Sequence, residues 1–391
     1  MQLLFVHDFP VEKYEDNYYS IGFSHKIWNR YLPVFDKMLI NSRVKNVNCV
    51  ELINKSNGDK VNFKPVNSYK SPKSLILNHK EIIETLTISI KKSEGVLIRL
   101  PSVLGFIAAL ICKKLNKPYI VEVVGAALDT YWFHGSVFGK FLSLPMEFLQ
   151  KYAVKNARVA IYVTKKYLSN KYPCDGEEFK GVSNVESVEN FNKNLDVGKK
   201  IKVGLIGSTF VDYKGHDVAI KAVSKLVSEG YNIELEFVGN GPSKKIKNIA
   251  KKYKIENNVI FKGKIYEKSL LNDWFRNLDL YIQPSLTEGH CRAIVEAIGN
   301  GVPTLASKAG GNSDSVNKEY LFKPKDVVKL TKLIKRSILS KQYRKKNTLE
   351  NKKNISGYNL KNIQIEREKA LLNYKKIIND FYLAKGINKN A

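Results

Sequence analysis

Short apolar runs alternate along this chain with longer stretches whose apolar residues recur every three or four positions, the rhythm of strands separated by amphipathic helices. In the first half the pattern predicts strands at 3–6, 95–99, 119–124 and 159–163, a helix over 102–115, and a loop rich in Asp, Asn and Tyr after the first strand. Helices lying between consecutive strands imply parallel pairing, since a parallel partner is reached only by a crossover. The periodicity fades over 186–200, a polar stretch with few apolar anchors that reads as a connection between domains. A second series then begins, with strands predicted at 201–206, 233–238, 259–261, 280–283 and 304–306 and helices at 217–229, 243–253 and 292–300. Domains are therefore expected at 1–185 and 200–364.

The stretch 323–361 is strongly basic, with Leu330, Leu333, Ile334 and Ile338 at helical spacing and Lys332, Lys335 and Arg336 between them. Such a helix either lies on an anionic membrane surface or packs on the sheet as an ordinary surface helix. A last helix over 365–383 offers Leu371, Leu372, Ile377, Ile378 and Phe381 for burial.

At 391 residues, 43% of them hydrophobic and 11% aromatic, the chain has enough apolar surface for two cores, which excludes a disordered, collagen-like or disulfide-stapled protein. The formal charge of +28 suits nucleic acid, anionic lipid or phosphorylated small molecules, or simply reflects lysine-rich coding. No finger, RNP-like aromatic segment or basic recognition helix accompanies it, so nucleic acid is not expected as a partner. Cys49, Cys112, Cys174 and Cys291 are widely spaced and carry no metal-ligand or disulfide pattern, which suits the cytoplasm. The apolar run at 3–6 is too short for a signal peptide, and that at 103–112 is about half of a membrane span.

The most informative stretch is 284–304, where Glu288 and Glu296 flank a turn and a helix start. A Thr-Glu-Gly loop after a strand leaves the backbone N–H groups of Gly289, His290, Cys291 and Arg292 at a helix N-terminus, which attracts phosphate. Glu288 at that entrance and Glu296 two turns on accept hydrogen bonds from hydroxyls, as a sugar and a ribose would offer. Two glutamates eight residues apart are by themselves more often surface residues. Their surroundings change that reading. Pro284-Ser285, Glu296-Ala297, Gly301-Val-Pro303 and Gly310-Gly311 together resemble the signature of family-four GT-B glycosyltransferases of the group 1, bacterial polysaccharide type, whose Glu-x7-Glu motif occupies this place.

Further segments resemble that family: 204–217 its loop after the first strand of the nucleotide domain, 237–241 its glycine-containing turn, 261–264 a third loop. The resemblance implies an α/β architecture of two Rossmann-like domains facing a cleft, with the C-terminal helix, 365–391, crossing back to the first. It implies Lys214 on the donor diphosphate, Glu296 on the ribose and Glu288 on the donor sugar, with Ser208, Gly239 and Lys264 among the donor-binding positions. Many relatives carry an arginine where this chain has Ser208-Thr209, which leaves Arg292 or a further lysine to supply that charge. The segments 121–126, 131–135 and 162–168 resemble the acceptor side of bacterial polysaccharide glycosyltransferases. Ala126 stands where relatives often have an acidic residue, and Asp129 or His134 is then the acceptor-side candidate. His7 and Gly22 sit where α/β folds bind ligands, beyond strand C-termini.

The implied reaction moves a sugar, with retention, from a nucleotide diphosphate sugar, expected to be UDP-linked, to a hydroxyl of a lipid-linked or oligosaccharide acceptor in capsule or O-antigen synthesis. No Asp-x-Asp motif is present, so neither a metal nor another cofactor is expected. The enzyme is expected to be a cytoplasmic protein, peripheral on the inner face of the plasma membrane. The alternatives are a non-catalytic glycosyltransferase-like subunit and a GT-B-like nucleotide-sugar epimerase.

Overall fold

The computed structural model describes residues 1–50, 54–69, 72–133, 137–185 and 188–386. Among these, the apolar runs form two sheets. The first contains β1 (Gln2–Tyr14), β2 (Asn17–Tyr19), β3 (Lys37–Asn46), β4 (Val61–Phe63), β5 (Val66–Asn67), β6 (Gly95–Leu100), β7 (Ile120–Val123), β8 (Val159–Tyr162) and β9 (Glu177–Lys180). The second contains β10 (Ile201–Ile206), β11 (Ile233–Val238), β12 (Val259–Gly263), β13 (Leu280–Gln283), β14 (Thr304–Ser307) and β15 (Leu321–Phe322). Their main paths run β4-β3-β1-β6-β7-β8-β9 and β12-β11-β10-β13-β14-β15. Each sheet thus starts in its middle, grows to one side, then steps across its first strand, which is the doubly wound Rossmann order with a crevice at the switch point.

Central strands such as β6, β7, β8 and β13 are mostly apolar and almost wholly buried, as parallel strands covered by helices on both faces must be. The structure departs from expectation around β1. The segment read as a polar loop continues the strand to Tyr14 through a register shift between Val6 and Pro10, then turns back as the antiparallel β2. β3 was not anticipated because it buries Asn41 and Ser42; the Asn41 amide donates to the Lys64 carbonyl (2.5 Å) and to Ser89 Oγ (3.2 Å).

The basic stretch after residue 323 forms the helices Val327–Leu339 and Lys341–Ile355. Leu330, Leu333 and Ile334 are buried in the core, and Thr331 Oγ1 donates to the Ala222 carbonyl of the helix His216–Ser228 (3.4 Å). The apolar stripe of this helix is therefore occupied by protein, and it is an ordinary surface helix packed on its domain rather than a membrane-facing one. The final helix, Leu360–Leu383, returns to the first sheet. There Tyr374 Oη accepts from Val96 N (2.8 Å) and donates to the Pro118 carbonyl (2.9 Å), while Ala370, Leu371 and Ile378 are buried. Among the described residues no helix is long and apolar enough to cross a membrane.

Candidate active site

The switch point of the second sheet lies between β10 and β13, and both strands deliver loops to the crevice beyond their C-termini. After β10 the chain makes the turn Asp212–Lys214 and enters its helix through Gly215, whose φ of 75° puts it in the left-handed region. A Cβ there would also meet the Pro284 carbonyl oxygen at 2.1 Å, so only glycine lets this loop close on the loop after β13. That closure brings Lys214 to Glu288 across 74 residues of sequence, Nζ to Oε1, at 2.8 Å.

Glu288 Oε1 also accepts from Ser285 Oγ (2.7 Å) and, at 3.5 Å, from Gln283 Nε2, which itself donates to Ser285 Oγ (2.8 Å). Tyr281 donates to Gln283 Oε1 and accepts from Ile206 N, tying this relay back to β10. Three donors thus fix one oxygen of the carboxylate, and Oε2 makes no hydrogen bond among the described residues. Burial would by itself lower the pKa of Lys214, but Glu288 beside it raises it above the usual lysine value, so the ammonium stays charged.

Lys214 and Glu288 line a cavity of about 540 Å³ with Gly239, Lys264, His290, Cys291, Arg292 and Glu296. The helix Arg292–Gly299 points its N-terminus into this space, so its first-turn amides face an incoming anion. Glu296, one helical face along, is held at Oε1 by Lys268 Nζ (2.7 Å). Lys268, from the helix Lys268–Asn277, carried no sequence signal beyond one more lysine, since its partner lies 28 residues away. Burial pushes the Cys291 thiol up to about 12, with Glu288 adding to it, so sulfur is no nucleophile here. Burial, with Arg292 and Lys165 nearby, lowers His290 to about 4, and its ring is neutral at pH 7.

Other candidates fall elsewhere. Ser208 does not line the cavity; its Oγ accepts from Phe210 N (3.3 Å) within its own turn. Gly289 meets the first domain instead, where a Cβ would stand 2.2 Å from the Val124 carbonyl oxygen. His7, half-buried, packs against Phe9 and Phe23 (ring centroids 5.9 and 5.7 Å), is lowered by burial to about 4, and is not among the residues lining this cavity. Asp129 accepts from Tyr167 Oη (3.2 Å), and His134 lies outside the described residues. Gly22 does border an interdomain cavity, of about 290 Å³.

Facing that cavity is a cluster that the sequence did not announce. The buried Glu122 of β7 is held by Arg99 Nη1 and Arg367 Nη1 (2.7 Å each) and by Tyr31 Oη (3.0 Å). Burial would raise its pKa, but Arg99 and Arg367 hold the carboxyl far below the usual range. Arg367 comes from the returning helix, 245 residues away, so this ion cluster also fastens that helix to the first domain.

Residues 187–354 match the family model described as glycosyl transferases group 1. Protein CapJ of Staphylococcus aureus is 85% identical over 391 residues, covering 100% of both chains. Among solved structures, a sucrose-phosphate synthase from Thermosynechococcus elongatus superimposes with a TM-score of 0.67 at 14% identity, covering 98% of this chain and 100% of that one. A Staphylococcus aureus TarM variant in complex with fondaparinux, alpha-GlcNAc-glycerol and UDP gives 0.56 at 17% identity, covering 74% and 58%. At such identities the structural likeness is one of fold, the GT-B arrangement of two Rossmann-like domains about a cleft. With the family pattern laid over the second domain and the kinship to CapJ running end to end, the chain belongs to the group 1 glycosyltransferases.

Proposed function

We propose that this glycosyltransferase moves a sugar, with retention of anomeric configuration, from a UDP-linked donor to a hydroxyl of a lipid-linked glycan during capsule-type polysaccharide assembly at the cytoplasmic membrane face. The observation that carries the reading is the Lys214–Glu288 pair on the wall of a cavity that also holds Glu296 and a helix N-terminus. The donor diphosphate lies against Lys214 and the first-turn amides of Arg292–Gly299. Glu296 takes the ribose hydroxyls, and the open Oε2 of Glu288 takes a hydroxyl of the sugar.

As the bond from the anomeric carbon to the diphosphate oxygen breaks, negative charge grows on the diphosphate, and Lys214 is already positioned to stabilise it. The acceptor oxygen bonds to the anomeric carbon on the same face, and its proton passes to the departing phosphate oxygen. The charge required comes from protein groups, so transfer is expected to survive EDTA. The TarM complex with UDP supports the choice of base, and the kinship with CapJ supports the capsule setting.

A lipid-anchored acceptor is supported by the helix Val137–Lys155, which presents Phe141, Leu144 and Phe148 to solvent at 76, 58 and 68% exposure, beside the exposed Lys140 and Lys151. This apolar, basic face suits an anionic bilayer. Phe148→Asp is expected to lower co-sedimentation with anionic vesicles; equal binding by wild type and variant would count against that surface. The reaction itself is tested with a panel of nucleotide sugars and an NMR readout of the product anomer. Selective use of one UDP-sugar with retention supports the proposal, whereas inversion, or epimerisation without any acceptor, overturns it.

A further inference from the structure

The cavity of about 290 Å³ between the domains shares two wall residues, His290 and Arg292, with the donor cavity, and is otherwise bounded by first-domain residues that include Phe23, Arg30 and Arg99. Its charge is unbalanced. Arg30, Arg99 and Arg367 face one carboxylate, that of Glu122, which Arg99 and Arg367 occupy. Arg30 Nη1 is left with a neutral partner, Asn184 Oδ1 (2.8 Å), and its closest charged neighbours include the other two guanidiniums. Arg292 makes no hydrogen bond or ion pair among the described residues. Guanidiniums held together at a partly buried wall repel one another unless an anion joins them.

A second polar residue lies on the same wall. His290 Nε2 is buried and has no partner, whereas Nδ1 lies 3.1 Å from Ser183 Oγ. Ser183 Oγ accepts from Val185 N (3.0 Å) and keeps both a proton and a lone pair for His290 Nδ1. Nε2 is thus a buried ring nitrogen without a partner, on a residue that lines both cavities. Arg99 is steadied against the Phe23 ring (5.6 Å).

We infer that this cavity is an oxyanion subsite for the acceptor: Arg30, Arg99 and Arg292 hold an acidic group that the acceptor carries beside its attacking hydroxyl. Guanidiniums bind such groups through paired N–H bonds, and a phosphate and a carboxylate both qualify. The group is either the diphosphate joining the first sugar to its lipid or the carboxylate of a uronic acid. The inference rests on the transferase reading above and adds a chemical class of acceptor to it. It also gives the +28 chain a local use for its cations.

The test is calorimetric titration of the full chain with inorganic pyrophosphate and with methyl glucuronide, each with and without saturating UDP. Wild type is expected to bind one of these with UDP present, since the donor cavity is then filled. Tighter pyrophosphate names the lipid diphosphate, and tighter methyl glucuronide the uronic acid. Arg30→Gln is expected to weaken that binding about tenfold or more, the loss of one charged hydrogen-bonding partner, while Arg30→Lys retains most of it. Gly22→Glu, at an exposed rim position where a Cβ meets nothing within 4 Å, keeps the fold and sets a competing carboxylate at the mouth, so it should weaken binding similarly. UDP affinity is expected to stay unchanged in all three. Binding that UDP abolishes, that Arg30→Gln and Gly22→Glu leave intact, or that wild type lacks altogether would overturn the inference. Failure of wild type to bind UDP would instead strike the donor reading, and the titrations without UDP would still read this subsite.

Discussion

Gly289 is one point at which the Glu288 loop touches the opposite domain, and a single added methyl there tests whether the cleft works in the closed form. The Cβ of Gly289→Ala would lie 2.2 Å from the Val124 carbonyl oxygen and 3.1 Å from Gly125 Cα, backbone atoms that no rotamer change can move away. The first distance falls short of ordinary contact by about 1 Å. The loop cannot retreat either, because Cβ atoms built on Gly310 and Gly311 would already meet the Glu288 and Gly289 carbonyl oxygens at 1.7 and 2.2 Å. The strain is relieved only by parting the domains by about that 1 Å. A displacement of this size between reacting groups costs about a hundredfold in rate, while the donor cavity, built mostly within the second domain, is left whole. With the donor sugar selected in the nucleotide-sugar panel, kcat/KM should therefore fall about a hundredfold and the nucleotide Kd should change by less than about threefold. Overpacking of this kind should cost about 1–3 kcal/mol in stability. Wild-type turnover in Gly289→Ala would refute the reasoning, because it would show that catalysis does not need the loop seated on Val124.

Glu296→Ala is expected to weaken nucleotide binding, whereas Glu288→Ala should cut transfer more than nucleotide affinity; comparison of Kd and kcat separates the two roles. His7, His216 and His290 are each lowered by burial from 6.5 to about 4, and each has a ring nitrogen without a partner. The unfolded chain then binds more protons below pH 6.5, so stability is full above that value and falls as pH drops from 6.5 towards 4. The slope approaches about 4 kcal/mol per pH unit for three sites, and urea midpoints across that window check it. Glu122→Gln should destabilise by about 3–5 kcal/mol at pH 7, because Arg99 and Arg367 lose their shared charge. The wild-type advantage over that variant is present above the unfolded carboxyl value near 4.5 and fades as pH falls below it, since the folded value is depressed.

The strands of the second domain were legible because each is a short, continuous apolar run between helices: β10, β11 and β13 begin and end where the pattern places them. β3 was hidden because its buried Asn41 and Ser42 look like loop residues, and the groups that accept from the Asn41 amide lie 23 and 48 residues further on. Leu330, Leu333 and Ile334 form one helical face, as their spacing implies, but periodicity does not say whether lipid or protein covers that face. At the site, the spacing of Glu288 and Glu296 and their setting after a strand suggested a ligand-bearing helix start. Lys268 and the arginines around Glu122 gave no such signal, because their meaning lies in contacts that only the fold creates. The exposed Phe141, Leu144 and Phe148 illustrate the converse, since an apolar helix face in sequence reads as core until the structure leaves it uncovered.

The central claim is that Lys214, charged and held by Glu288, carries the donor diphosphate. Calorimetric titration of wild type and Lys214→Ala with UDP tests it most directly, in protein shown by circular dichroism to be folded. A charge-assisted contact of about 1.5–3 kcal/mol predicts that the variant binds UDP roughly tenfold to a hundredfold more weakly. Equal affinities in the two proteins would contradict the account and take the donor site away from this cavity.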